Sequence, residues 1–142
     1  MTHDDYSDDM IIGILKGVKT IAMVGASSNP ERASSVVLQY LTARGYTVYP
    51  VNPGLAGQKI LGASVYASLA DVPAPIDMVD IFRNSDAAGV VVDEALRLSP
   101  LPKVIWMQLE VRNDAASARA EAKGVTVIMN RCPKIEYGRL LG

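Results

Sequence analysis

One stretch constrains this chain more than any other: Thr20-Ile-Ala-Met-Val-Gly-Ala-Ser-Ser-Asn-Pro-Glu-Arg32, an apolar run that ends in glycine and gives way to small polar residues. A near-continuous apolar run of this kind suits a parallel strand buried on both faces. Gly25 carries no Cβ, so the backbone at the strand's carboxyl end can approach a ligand closely. Asn29 suits the cap of a following helix and Pro30 its first position. That places free N–H groups and a positive dipole end over Gly25, Ala26, Ser27 and Ser28, where an anion is stabilised. Only the first glycine of the dinucleotide pattern Gly-x-Gly-x-x-Gly is present and no Walker A loop occurs, so the segment alone also fits a plain strand-to-helix turn.

Downstream segments repeat the alternation. Asp8 and Asp9 precede Met10, Ile11, Ile14 and Leu15, which predicts a short amphipathic helix packed on the sheet edge, within an N-terminal extension over residues 1–18. After the first strand, Ala33, Val36, Val37, Tyr40 and Leu41 predict one face of a helix stopped by Gly45. Tyr46 to Val51 reads as a second strand, and Pro50 marks it as edge-like. A glycine-rich loop and one helical turn near Ser68 to Val72 lead to a third strand over Ile76 to Phe82. A helix capped by Asn84 or Ser85, a strand over Lys103 to Met107, a helix capped by Asn113 or Asp114, a strand over Val125 to Met129 and a short last helix complete the pattern. Strands alternating with helices require crossovers, so the reading is α/β: a single doubly wound parallel sheet, Rossmann-like, with helices on both faces. The expected strand order is 3-2-1-4-5, with the glycine turn at the switch point.

Composition narrows the function classes. A chain of 142 residues suits one domain, here 1–142, and 49% hydrophobic with 20% charged residues is globular. The net charge of -1 and the lack of a basic patch argue against nucleic acid. One cysteine excludes an internal disulfide framework, and a lone histidine, His3, in an expected mobile tail, leaves no metal-ligand cluster. The N-terminus is acidic where a secretory signal is basic, and no apolar run approaches the roughly 18 residues of a membrane span. The expectation is a cytoplasmic protein without a membrane partner.

Ligands of such sheets bind outside the carboxyl ends of the strands. The residues there are Gly25 to Ser28, Val51-Asn52-Pro53, Phe82-Arg83, Gln108 and Asn130-Arg-Cys132. Arg83 offers a donor fork matched to phosphate, Arg32 adds a second cation, and Phe82 can cover a base or an aliphatic arm. NAD sites place an acid near the end of the second strand to bind the ribose hydroxyls; this chain has Asn52 there, which suits coenzyme A or NADP better. Cys132 reads as a small buried hydrophobe, Trp106 as a residue packed under a helix, and Glu110 as a carboxylate without an orienting partner. No catalytic set emerges.

Val24-Gly-Ala-Ser27 with Pro30 and Arg32, Gly45-Tyr-Thr-Val-Tyr-Pro-Val-Asn-Pro53, Asp77-Met-Val-Asp-Ile-Phe-Arg83, Trp106-Met-Gln108 and Arg131-Cys132 together resemble the small coenzyme A-binding proteins of the YccU type. Those are related in fold to the amino-terminal domain of the succinyl-CoA synthetase alpha subunit. The resemblance covers Thr20 to Leu140 in order and spacing. It implies a stand-alone domain that binds coenzyme A, with the pyrophosphate near Gly25 to Ser28 and with Asn52, Pro53, Phe82 and Arg83 lining the rest. It implies no reaction, because the phosphorylated histidine of the synthetase lies in a domain this chain lacks. Two positions depart from the family: Glu110 stands where glycine is usual, and Asn130 where aspartate precedes Arg-Cys. The expectation is therefore a non-catalytic coenzyme A or acyl-CoA binding protein. The alternatives are an NADP-dependent reductase, a subunit of an acyl-CoA synthetase-like complex, or a structural module. A protein partner or self-association stays open.

Overall fold

The computed structural model describes residues 3–142; the first two residues of the acidic N-terminus lie outside it. Five parallel strands form the central sheet: β1 (Thr20–Val24), β2 (Thr47–Val51), β5 (Met78–Ile81), β6 (Val104–Met107) and β7 (Thr126–Ile128). A separate two-stranded hairpin, β3 (Lys59–Ile60) and β4 (Ala63–Ser64), lies between β2 and β5 in the chain. Period-two alternation sorts the strand residues onto two cores. Ile21, Met23, Met78, Val104, Trp106 and Ile128 face α1 (Asp8–Gly17), α2 (Ala33–Ala43) and α5 (Pro133–Leu140). Ala22, Val24, Val79, Ile81, Ile105, Met107 and Val127 face α3 (Ser85–Ala95) and α4 (Asp114–Ala122). Small residues Ala88, Ala95, Ala116 and Ala120 let α3 and α4 pack closely on that second face. The α/β class and helices on both faces are as the sequence predicts.

The strand order is β2-β1-β5-β6-β7, so the third long strand lies beside the first, not beside the second as the order 3-2-1-4-5 required. Two facts account for this. The chain between β2 and β5 holds no α-helix, only 3-10 turns at Pro53–Leu55 and Leu69–Asp71 and the hairpin, so no helical crossover carries it outward. Pro50 also directs its main chain to the outer side of β2, where its carbonyl accepts from Tyr66 N at 3.0 Å and it has no N–H to offer. Pro50 thus marks β2 as the edge of the five-stranded sheet, as its sequence predicts, and the outer side of β2 is met only by the isolated bridge at Tyr66.

Local boundaries moved for identifiable reasons. Asn29 does not cap a helix: its Oδ1 accepts from Glu31 N at 3.0 Å and its carbonyl from Arg32 N at 3.1 Å, which makes a turn. The helix starts three residues after Pro30, with Arg32 at its cap position, and its buried face is Ser34, Ser35, Val37, Leu38 and Leu41, leaving Val36 exposed. Asn84 and Asn113 cap α3 and α4 through Ala87 N and Ala116 N. α1 packs over the sheet face beside α5 instead of at the sheet edge, with Ile11 and Leu15 in the core.

Candidate functional site

The order of the strands puts the switch point between β1 and β5, and the backbone closes tightly there. Phe82 N donates to Val24 O at 2.8 Å and Gly25 N to Val51 O at 3.0 Å. Gly25 has φ +88, and a Cβ at this position would lie 2.2 Å from the Phe82 carbonyl oxygen, so only glycine fits. Above it opens a crevice of about 490 Å³ lined by Gly25, Ala26, Ser27, Arg32, Ala33, Ser34, Asn52, Gly54, Leu55 and Phe82. This is within the size range of small-molecule sites. The start of α2 faces the crevice with no side-chain cap, and the start of α5, away from the crevice, also has none, whereas α1, α3 and α4 are capped by Ser7, Asn84 and Asn113. Helix starts leave N–H groups without intrahelical partners, and at α2 these are free for an anion.

Six of the sequence-selected residues meet in this crevice: Gly25, Ala26, Ser27, Arg32, Asn52 and Phe82. Asn52 shapes it more than it offers contacts, since its Nδ2 donates to Ala26 O at 2.8 Å and its Oδ1 accepts from Gly54 N at 2.9 Å. Arg83 is exposed, and its Cδ would be 3.0 Å from a Cβ on Gly25, which sets its stem against the bare turn. Ser28 is exposed outside the lining, Val51 is buried beneath it, and Pro53 begins the 3-10 turn whose Gly54 and Leu55 form a wall. Gln108 is buried just past β6 and does not line the crevice. Ala33 and Ser34 also line the crevice, because α2 begins at Ala33 and not at Pro30, which brings its first turn to the opening.

The carboxyl ends of β6 and β7 are closed by the chain itself. Glu110 has φ +69 and Asn130 φ +57, and Glu110 N donates to Asn130 Oδ1 at 2.7 Å while Asn130 N donates to Val111 O at 3.1 Å. The left-handed backbone at 110 explains why glycine is the usual residue in the family. His3, expected in a mobile tail, is docked instead: Nδ1 lies 2.6 Å from the Tyr6 hydroxyl and Nε2 2.6 Å from Glu121 Oε1. The Tyr6 oxygen accepts from Met129 N at 2.9 Å, the Arg131 guanidinium stacks over its ring, and Arg112 pairs with Asp4 at 2.9 Å. Apart from His3 with Tyr6, these contacts join residues more than 100 apart in sequence, which no local pattern signals. Burial pushes the Tyr6 hydroxyl pKa upward, against the pull of its bond to Met129 and the nearby Arg131. Cys132 is free and buried, and Trp106 is buried with Nε1 donating to Arg131 O at 2.9 Å, as their sequence readings required. Among the described residues no cluster of three metal-binding side chains occurs, and no helix is long and apolar enough to cross a membrane.

These features define an open doubly wound α/β domain with its crevice at the switch point. The chain belongs to the CoA binding domain family, whose pattern matches residues 19–138, in keeping with the YccU-type resemblance. It is 36% identical over 124 residues to the uncharacterized protein YneT of Bacillus subtilis (strain 168), covering 87% of this chain and 89% of that one. A hypothetical protein from Pyrococcus horikoshii OT3 superposes with a TM-score of 0.92 at 39% identity, covering 100% of this chain and 97% of that one. A dinucleotide-forming acetyl-coenzyme A synthetase 1 of Ca. Korarchaeum cryptofilum, in complex with phosphate and ADP, gives a TM-score of 0.62 at 25% identity over 77% of this chain and 25% of the synthetase.

Proposed function

We propose that the protein binds coenzyme A or an acyl-CoA in the β1–β5 crevice without catalysing a reaction on its own. The observation that carries this is the Gly25 turn, where bare backbone, the uncapped start of α2 and Arg32 converge on one open cavity. Backbone N–H groups and a helix dipole suit the pyrophosphate, and Arg32 and Arg83 add donors for phosphate oxygens. Asn52 in place of an acid leaves room for a ribose that carries an extra phosphate. Family membership supports the same ligand. Isothermal titration with coenzyme A, acetyl-CoA, NAD and NADP tests it. Selective binding of the coenzyme A compounds is the expected result; binding of NADP alone moves the reading to a reductase.

A second reading, a subunit that works within an acyl-CoA synthetase-like complex, is favoured by the match to one quarter of the Korarchaeum synthetase chain. Thioester formation from coenzyme A, a carboxylate and a nucleoside triphosphate on adding a synthetase-type partner would establish it.

A further inference from the structure

Ser34 and Ser35 stand side by side in the first turn of α2, both buried, and their hydroxyls are used differently. Ser35 Oγ donates to Ser27 O at 2.7 Å and is spent on the loop after β1. Ser34 is 5% exposed and lines the crevice, and its hydroxyl makes no hydrogen bond to any described residue. Its oxygen is nevertheless not sealed off, unlike the carboxyl oxygens of Asp80 and the amide oxygen of Gln108, which are buried without partners. The small open part of Ser34 therefore includes its hydroxyl, and the opening is the crevice. A helical serine commonly returns its proton to the carbonyl four residues back, but here that residue is Pro30, ahead of the helix start. Leaving a nearly buried hydroxyl unpaired is costly, and native interiors keep few such groups.

The other polar groups around the crevice share one bias. Ser27 Oγ accepts from Asn29 N at 3.1 Å, which leaves its proton to donate. Arg32 has no ion-pair partner among the described residues. Ser35 N is the first amide of α2 with an acceptor, the Arg32 carbonyl at 3.1 Å, so the amides of Ala33 and Ser34 are free. Acceptors, by contrast, are occupied: Ala26 O by Asn52 Nδ2, Ser27 O by Ser35 Oγ, Asn52 Oδ1 by Gly54 N and Asn52 O by Leu55 N. A carbonyl and the N–H that follows it point in opposite directions across a trans peptide. Holding Ala26 O and Ser27 O thus turns the amides of Ser27 and Ser28 away from Asn52 and Ser35. No lining residue is an aspartate or glutamate.

We infer that Ser34 is a ligand contact whose hydroxyl donates to a diphosphate oxygen, and that the polar groups of the crevice read the diphosphate and no other part of the ligand. Phosphate oxygens are strong acceptors, which suits a crevice rich in donors. The adenine amino group and the ribose hydroxyls also donate, and the crevice has few acceptors left for them. Adenosine or the pantetheine arm meets Leu55 and Phe82 by apolar contact instead. The inference rests on the nucleotide reading of this crevice and deepens it. Coenzyme A and NADP both carry a diphosphate, so Ser34 anchors either one, and the choice between them falls to groups outside the crevice.

Isothermal titration of inorganic pyrophosphate, coenzyme A and NADP into the wild type and Ser34→Ala, with Tm recorded for both, tests it. Pyrophosphate displaces coenzyme A from the wild type. Ser34→Ala weakens both by the same factor, about 10- to 100-fold, the range of a hydrogen bond to a charged group. Its Tm is unchanged, because the lost hydroxyl has no partner in the chain. Unchanged affinity, a loss for coenzyme A that spares pyrophosphate, or failure of pyrophosphate to displace coenzyme A overturns the assignment. A fall in Tm alongside the loss shows a structural role and overturns it as well. Failure of the coenzyme A reading looks different: a wild type that binds pyrophosphate and NADP but not coenzyme A, with Ser34→Ala weakening both equally, changes the ligand and keeps Ser34 on the diphosphate. A wild type that binds none of the three overturns both readings.

Discussion

The carboxyl ends of β1 and of β6–β7 use the same unusual backbone for opposite purposes. At β1 the left-handed residue is Gly25, bare and packed under the Phe82 carbonyl, and the cavity above it is open. At β6–β7 the left-handed residues are Glu110 and Asn130, and their polar groups satisfy one another. The N-terminal segment then ties that end down through His3, Tyr6 and the Arg112–Asp4 pair. A strand end whose amides find partners within the chain has nothing left to offer a ligand. At the open end no side chain caps α2 and no Cβ covers the turn; α5, which follows β7, also lacks a side-chain cap, but Pro133 at its start has no N–H to leave free.

Gly25→Ala attacks the open end directly and carries the largest expected effect. A methyl 2.2 Å from a backbone oxygen cannot be relieved by a side-chain rotation, and φ +88 adds strain. Chemical denaturation should show a loss of about 2–4 kcal/mol. A loss below about 1 kcal/mol would mean that β1 and β5 separate easily there and that the comparison overstates the rigidity of the turn. Arg83→Ala comes next. Its guanidinium has no ion-pair partner among the described residues, and the variant should weaken coenzyme A binding by about 1.5–3 kcal/mol, the range of a hydrogen bond to a charged group, with unchanged Tm. Unchanged affinity by titration would take Arg83 out of the site.

The closed end predicts the reverse: lost stability with intact binding. Tyr6→Phe removes the oxygen that accepts from Met129 N and leaves that amide unpaired, at an expected cost of about 1–2 kcal/mol in denaturation. Coenzyme A affinity should not change. If binding weakens in parallel, the strap reaches the crevice and the two ends are coupled.

How much of this was legible in the sequence follows the range of the interactions. The strand Thr20–Val24, its glycine turn and the Asn84 and Asn113 caps rest on contacts within a few residues, and each could be read directly. The strand order is legible in part, since Pro50 marks β2 as an edge strand and the order 3-2-1-4-5 would put a strand on both of its sides. The start of α2 is not legible locally, because Asn29 serves a turn as readily as a cap. The docking of His3 on Glu121 and the isolation of Asp80 could not be read, because each depends on which groups tertiary packing brings together.

The smallest expected effect is at Glu110, at the closed end. Glu110→Gly relieves a left-handed conformation that costs an ordinary residue about 1–2 kcal/mol, but the added freedom of the unfolded chain returns about 0.5–1 kcal/mol of that. The bond from residue 110 N to Asn130 Oδ1 is made by the backbone and survives the change. The net gain should be under about 1 kcal/mol in denaturation. The variant also removes an exposed negative charge from the same end of the sheet as the crevice, so coenzyme A should bind slightly more tightly at low salt, and the difference should vanish near 1 M salt, where screening acts within about 3 Å. A tightening that persists in high salt would mean that the Glu110 side chain obstructs the ligand by contact, and the closed end would then be part of the site.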